Sequence, residues 1–233
     1  MKPIIDVIIP AFNEENAVGH VVRDIPKDWV REIIVCNNGS TDETTAKATA
    51  AGATVVMQPI KGYGNACLKG MEYIANKPKS EQPDIIVFLD ADYSDHPEEL
   101  IDLVKPIIEG RMDMVIGSRA LGDLEKGSMT PQQIFGNWLA TFLMKIIFRA
   151  KFTDLGPFRA IKYDKLLALN MEDKTYGWTV EMQLKVLKQK LTYIEIPVKY
   201  RNRIGVSKVS GTLKGTIFAG IKILSWIFKY SFK

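Results

Sequence analysis

Apolar and polar residues alternate in blocks through the first half of the chain. Short runs rich in Ile and Val, at residues 4–9, 32–36, 54–57, 85–89 and 112–117, predict strands. Residues 14–25, 42–51, 65–75 and 97–109, between them, predict helices. Such alternation implies parallel strands joined by right-handed crossovers, hence an α/β fold with a doubly wound, mostly parallel sheet and helices on both faces. In sheets of this kind ligands bind beyond the carboxyl ends of the strands. The polar motifs fall at those ends: "PAFNEE", "NNGSTD", "KGYGN", "DADYS" and "GSR" follow the five runs in turn. Five such loops at one edge of one sheet are far less expected by chance than any one of them.

The second half is patterned differently. Residues 131–150 place Phe135, Trp138, Leu139, Phe142, Leu143, Ile146 and Ile147 at helical spacing, and Met144 and Phe148 widen the apolar stripe. The last segment is apolar from 216 to 228 but for Lys222. Neither reaches the roughly 20 uninterrupted apolar residues that span a bilayer. Each can lie in a membrane interface or pack on the protein. The expected division is one domain over 1–211 and a basic amphipathic helix over 212–233.

Length and composition change little in this picture: 233 residues, 46% hydrophobic and 25% charged, suit one large domain. Two cysteines, Cys36 and Cys67, make no disulfide framework or metal cluster. A reducing cytosol is the simplest compartment, and the apolar part of the N-terminus is too short for a signal peptide. Charge adds an asymmetry. No acid follows Glu195, whereas eight Lys and Arg do, so a chain of net +4 is net −4 before that point. A basic, apolar ending suits an anionic membrane surface or phosphates.

The stretch "DIIVFLDADYSDHPEEL" (84–100) ends an apolar strand in carboxylates. Asp95, Glu98 and Glu99, around Pro97, read as a helix start with a capping acid. Asp90 and Asp92 are different. Residues i and i+2 on an extended chain face the same side, and two carboxylates so placed repel unless a cation lies between them. Mg2+ or Mn2+, which takes oxygen ligands and shares them with substrate phosphates, resolves that conflict. In "NNGSTD", turn chemistry accounts for Gly39, Ser40 and Asp42, and the successive amides of Asn37 and Asn38 can also meet a nucleobase edge. "KGYGN" sets Lys61 beside Gly62 and Gly64, which allow close backbone approach to a ligand.

Taken in order, "IPAFNEE", "NNGSTD", "KGYGNA", "LDAD", "GSR", "DLGPFRA" and "RIGVSK" resemble the family 2 glycosyltransferases of GT-A fold, and within them the dolichyl- or polyprenyl-phosphate hexosyltransferases. The resemblance spans residues 3 to about 212. It implies that Pro10, Ala11, Asn13 and Glu15 line a nucleotide pocket with Asn37, Gly39, Lys61, Gly64 and Ala91. Asp90 and Asp92 would hold the donor diphosphate through Mg2+ or Mn2+. Arg119 would line the crevice, and Arg203, Ser207 and Lys208 would close over the diphosphate. Two positions depart from the family pattern. Asn37 stands where many relatives carry an Asp that contacts the base, and Ser94 stands where the mannosyltransferases often carry Gln.

The implied reaction needs stabilisation of a leaving nucleoside diphosphate and an in-line attack on the anomeric carbon, hence inversion. A hydroxyl acceptor also needs a carboxylate base. The Q-x-x-R-W motif common in such enzymes is absent, and the one Glu-Asp pair, Glu172-Asp173, is expected in a loop. A lipid phosphate is already anionic and needs no base. Near the acceptor, Asp154 is expected to orient Arg159 onto that phosphate or to form a structural ion pair with it. Glu181 is a further candidate there, and Trp178 is expected in the core, with stacking on the acceptor as the alternative. The expected partners are a nucleotide-sugar donor, a lipid phosphate acceptor, an anionic membrane surface, and an integral-membrane partner or second copy, with no nucleic acid. The expected place is the cytosolic face of a membrane. The alternatives are a transferase with a hydroxyl acceptor and a non-catalytic nucleotide- or membrane-binding module.

Overall fold

The computed structural model describes residues 2–205 and 213–231. Ser207 and Lys208 lie outside the described residues. Among those described, seven strands form one sheet: β1 (Ile5–Ala11), β2 (Glu32–Asn37), β3 (Thr54–Met57), β4 (Ile85–Phe88), β5 (Met114–Ser118), β6 (Arg159–Lys162) and β7 (Tyr193–Pro197). Their order is β3-β2-β1-β4-β6-β5-β7. The helices are α1 (Val18–Asp24), α2 (Thr44–Ala50), α3 (Tyr63–Ala75), α4 (Leu100–Ile108), α5 (Pro131–Phe148), α6 (Tyr163–Leu169), α7 (Trp178–Lys188) and α8 (Leu213–Ser231). The five strands expected from the hydrophobic runs all form, within two residues at each end.

Strict alternation along the strands divides the core between the two faces of the sheet. Val7, Ile9, Val35, Val87 and Val115 pack under Val21 of α1 and Leu103 of α4. Ile8, Ile34, Ile86 and Ile116 pack under Met144 of α5, Trp178 of α7 and Ile227 of α8. Each such side chain contributes about 1.5–3 kcal/mol when fully buried. Trp178 is therefore core, edge-on to Phe88 at 5.8 Å, and not an acceptor platform.

Two strands escape the hydrophobic pattern. β6 has only four residues and runs antiparallel between β4 and β5, pairing Arg159 with Phe88 on one side and Ile116 on the other. β7, at the sheet edge, carries partly exposed Ile194 and Glu195. The insertion of β6 has a consequence for the site. Its central place seals Arg159, which is fully buried and donates to the carbonyls of Gly156 (Nε, 3.1 Å), Leu155 (3.2 Å) and Thr179 (3.0 Å). The expected phosphate ligand thus reaches no crevice, and Asp154 does not orient it.

The helix start at 95–99 also differs from expectation. A 3-10 turn (Pro97–Glu99) precedes α4, and His96, not Asp95, occupies its cap position with no side-chain cap bond. Asp95 is instead buried with neither carboxylate oxygen hydrogen-bonded. α5 has a full cap: Thr130 accepts from the Gln133 amide while the Gln133 side chain accepts from the Thr130 amide, with Pro131 in the first turn. α8 packs on the domain through Trp226 and Ile227, and no described helix is long and apolar enough to cross a membrane.

Candidate functional site

The carboxyl ends of β1, β2 and β4 converge with the start of α3 on a polar crevice of about 350 Å3. Pro10, Ala11, Lys61, Asp90, Ala91, Asp92, Arg119 and Arg203, all among the residues expected from sequence, line it. The acids lie just past the end of β4, in a turn, and the chain reverses at Tyr93, whose φ of 64° is unusual for a bulky residue. Arg201 holds that conformation: its guanidinium lies 3.4 Å over the Tyr93 ring, and its Nε donates to the Tyr93 carbonyl at 2.7 Å. The reversal brings the Ser94 amide and hydroxyl onto Asp92 Oδ1 at 2.9 and 2.5 Å, while Arg203 pairs with Oδ2. Ser94 is buried and committed to Asp92, which removes it as a further metal ligand.

Asp90 accepts a hydrogen bond from the Tyr63 hydroxyl at 3.0 Å. Burial pushes its carboxyl above the usual range, and Tyr63, Arg203 and Arg119 oppose that rise. Two oxygen-donor carboxylates on one wall, one already countered by a guanidinium, suit a hard divalent ion that completes its shell with diphosphate oxygens and water. Among the described residues there is no cluster of three or more His, Cys, Asp or Glu that could hold a metal alone. Asp90 and Asp92 thus fit an ion whose remaining ligands are substrate oxygens and water.

Several expected ligand contacts prove to be loop-to-loop bonds. The Asn13 amide nitrogen of the backbone donates to Ser40 Oγ, and Asn13 Oδ1 accepts from the Thr41 amide, both at 2.9 Å. Glu15 accepts from the Glu43 amide at 2.9 Å. Asn37 is buried, donating to Thr45 Oγ1 at 2.6 Å and accepting from the Ser40 amide at 2.8 Å, around the turn at Gly39 (φ 74°). Asn13 and Glu15 tie the first two loops together, Asn37 folds the second loop on itself, and none of the three lines the crevice. Its second-loop residue is Asn38, which also accepts from the Gly62 amide at 2.7 Å. Gly64 admits protein, not ligand: a β-carbon there would lie 2.0 Å from the Asp173 carbonyl oxygen.

Arg119 is paired with Asp154 through Nε (2.8 Å) and Nη2 (2.7 Å), and its own amide donates to the same carboxylate at 2.8 Å. Burial opposes the guanidinium charge, but Asp154 more than restores it and holds the Arg119 pKa above the ordinary value. Glu181, expected near the acceptor, is fully buried and accepts from the Glu172 and Asp173 amides at 2.8 Å each.

A second, larger cavity of about 710 Å3 opens beside the first, walled by α5, α8 and the start of α7. Tyr63, Asp90, Arg119, Gln133 and Tyr176 line both. The rest of its wall is mostly apolar, including Phe135, Leu139, Leu155, Ile223 and Leu224. Tyr63, Gln133 and Tyr176 were missed from sequence. Tyr63 lies between the two glycines of "KGYGN", and Gln133 belongs to the capping box of α5.

The Glycosyl transferase family 2 profile matches residues 6–167, and the chain belongs to that family. A glycosyltransferase of Mycobacterium tuberculosis of uncharacterised activity is 32% identical over 217 residues, 92% of this chain and 94% of its own. The undecaprenyl-phosphate mannosyltransferase of Micrococcus luteus is 26% identical over 234 residues, 94% of this chain and 92% of its own. In fold, the chain is similar to the glucosyl-3-phosphoglycerate synthase of M. tuberculosis solved with Mn2+, UDP and glucosyl-3-phosphoglycerate. The TM-score is 0.75 at 22% identity, covering 98% of this chain and 80% of that one. The protein is thus a glycosyltransferase of α/β fold with a mostly parallel seven-stranded sheet.

Proposed function

We propose that the protein transfers a hexose, with inversion, from a nucleotide sugar to polyprenyl phosphate at the cytosolic surface of a membrane. The observation that carries this reading is the junction of the two cavities: a polar crevice with paired acids opens directly into an apolar groove, and Arg119 lines both. The relatives include an undecaprenyl-phosphate mannosyltransferase and a glucosyl-3-phosphoglycerate synthase, and the apolar lining favours the lipid.

In this reading Asp90 and Asp92 would hold Mg2+ or Mn2+, which would supply charge neutralisation to the departing diphosphate. Arg203 and Lys61 stand on the same crevice and add positive charge to that leaving group. Tyr63 fixes the rotamer of Asp90. Arg119 has Nε and Nη2 committed to Asp154, and Nη1 is the nitrogen left to receive the acceptor phosphate at the join. The phosphate oxygen attacks the anomeric carbon as an anion, so no side chain has to remove a proton. Phe135, Trp138 and Phe142 of α5 and Ile217, Phe218 and Ile221 of α8 are exposed beside the groove, as expected of a face that rests in the lipid interface.

The test is transfer of labelled hexose from UDP- and GDP-sugars, with Mn2+ or Mg2+, to polyprenyl phosphate, phosphoglycerate and a glycan. Label on the polyprenyl phosphate is expected. Label only on phosphoglycerate or the glycan sinks the lipid assignment. Asp92→Ala should lower turnover about 10²–10³-fold, and full activity in that variant rejects the metal role.

A further inference from the structure

Asp173 is a buried carboxylate that lines neither cavity. Its Oδ1 accepts from the amides of Thr175 (2.7 Å) and Gly177 (3.0 Å), folding residues 173–177 into a tight turn. Its Oδ2 serves a different element. It accepts from Trp226 Nε1 at 2.6 Å and pairs with Lys222 Nζ at 3.1 Å, both on α8. The contact is close: a β-carbon at Gly177 would lie 2.4 Å from the Trp226 ring.

The far side of the same turn builds the donor crevice. The carbonyls of Lys174 and Thr175 accept from the amides of Asn65 (3.0 Å) and Gly64 (3.1 Å). These are first-turn donors of α3, which find no partner within the helix itself. Tyr63 and Lys61, at that end of α3, line the crevice, and Tyr176 projects from the turn into both cavities. A continuous path of hydrogen bonds therefore runs from α8 through one carboxylate to the wall of the nucleotide site. α8 itself walls the apolar groove with Ala219, Gly220, Ile223 and Leu224.

We propose that Asp173 is a positioning residue through which the seating of α8 sets the affinity of the donor crevice. With the Trp226 and Lys222 bonds made, the 173–177 turn is held against α3, and Tyr63 and Tyr176 are fixed. With those bonds lost, the turn keeps its internal fold through Oδ1 but no longer braces the crevice. The helix that walls the apolar groove is thereby coupled to donor binding. The inference rests on the nucleotide-sugar reading above.

The two oxygens allow the two duties of Asp173 to be separated. Asp173→Asn keeps one oxygen for Thr175 and Gly177 and places an NH2 group opposite the α8 donors. Trp226→Phe retains an aromatic ring and removes the N–H donor together with part of the buried ring volume. Wild type and both variants are compared by calorimetric titration with UDP and GDP in Mn2+, by steady-state transfer, and by hydrogen–deuterium exchange over residues 62–66. The Kd for the nucleotide and the donor KM should rise about 10-fold or more in Asp173→Asn and less in Trp226→Phe. The turnover number at saturating donor should stay within about twofold, with faster exchange at Gly64 and Asn65. Unchanged affinity and unchanged exchange in both variants overturn the proposal, whatever happens to the melting temperature, because Asp173 then only anchors α8. Should Asp173→Asn not fold, Trp226→Phe decides. Should wild type bind neither nucleotide, the donor reading falls, and the exchange arm still decides the coupling: faster exchange in a folded variant supports it, identical exchange refutes it.

Discussion

The two cavities of this glycosyltransferase are built in opposite ways. The donor crevice is made of loops at strand ends, and polar side chains in those loops are tied to backbone groups of other loops, Asn13 to Thr41, Glu15 to Glu43 and Asn38 to Gly62, while Asp92 is held by Ser94 within its own turn. The apolar groove is made of two helices, α5 and α8, whose outer faces leave Phe135, Trp138, Phe142, Ile217 and Ile221 exposed. One is cross-braced, the other loosely covered. A site that must hold a diphosphate in line with an attacking atom gains from the first arrangement. A groove that takes a long hydrocarbon chain, as proposed above, would have no need of it.

The boundary between the two is where the largest effect is expected. Asp154 is almost wholly buried, and Arg119 satisfies it with three hydrogen bonds while lining both cavities. Arg119→Met leaves a buried carboxylate uncompensated, which should destabilise the fold by about 3–5 kcal/mol. The measurement is the midpoint of urea unfolding at constant m-value. A loss below about 1 kcal/mol would make this an ordinary surface pair, and the division between a braced and an unbraced cavity would lose its hinge.

Asp95 sharpens the contrast from inside the braced half. It is buried near Asp90, Arg119 and Asp154, and neither of its oxygens has a hydrogen-bond partner. Burial, with the Asp90 charge added, raises its pKa from 3.8 to about 8. The folded state therefore holds a proton that the unfolded state releases above its own, lower pKa. Stability from this group is fully present below the unfolded value and is lost as pH rises toward about 8. Asp95→Asn mimics the protonated acid. It should change little near pH 4 and stabilise by about 1–3 kcal/mol near pH 8. Thermal melts of the metal-free protein across that range check it, and a gain that is independent of pH would contradict it.

The same contrast decides what could be read from the sequence. The braced half was legible because parallel strands buried on both faces produce unbroken apolar runs, and the crevice motifs follow them directly. Asp90, Asp92, Lys61 and Arg119 could be placed at one edge without coordinates. What could not be read was which polar side chain faces the ligand and which faces a neighbouring loop. Asn37 and Asn38 are adjacent and identical, and only the strand register turns Asn37 inward to Thr45 and Asn38 to the crevice. Arg159 failed for a larger reason. The four-residue strand β6 carries no periodic signal, and its antiparallel insertion between β4 and β5 exchanges the partners, giving Asp154 to Arg119 and leaving Arg159 with carbonyls alone. The basic C-terminal segment was likewise read as a surface seeking an external anion. Part of its charge is answered within the protein, Lys222 by Asp173, Lys229 by Glu172 and Arg203 by Asp92.

The unbraced half gives the smallest effect on the fold and the sharpest test of what covers it. Trp138 is 54% exposed on α5, stacked on Phe142 at 5.3 Å and tilted against Phe135 at 5.9 Å. A solvated aromatic cluster contributes little to folding, so Trp138→Ser should shift stability by no more than about 0.5 kcal/mol. In a lipid interface the same indole would be among the stronger anchors, apolar in body and polar at its N–H. The proposed docking therefore predicts that Trp138→Ser leaves the melting temperature nearly unchanged while lowering partition onto anionic vesicles several-fold. Burial of the face against another part of the chain would reverse that pattern, with a large loss of stability and no change in vesicle binding. The position thus separates a surface built for lipid from one that merely lacks a cover.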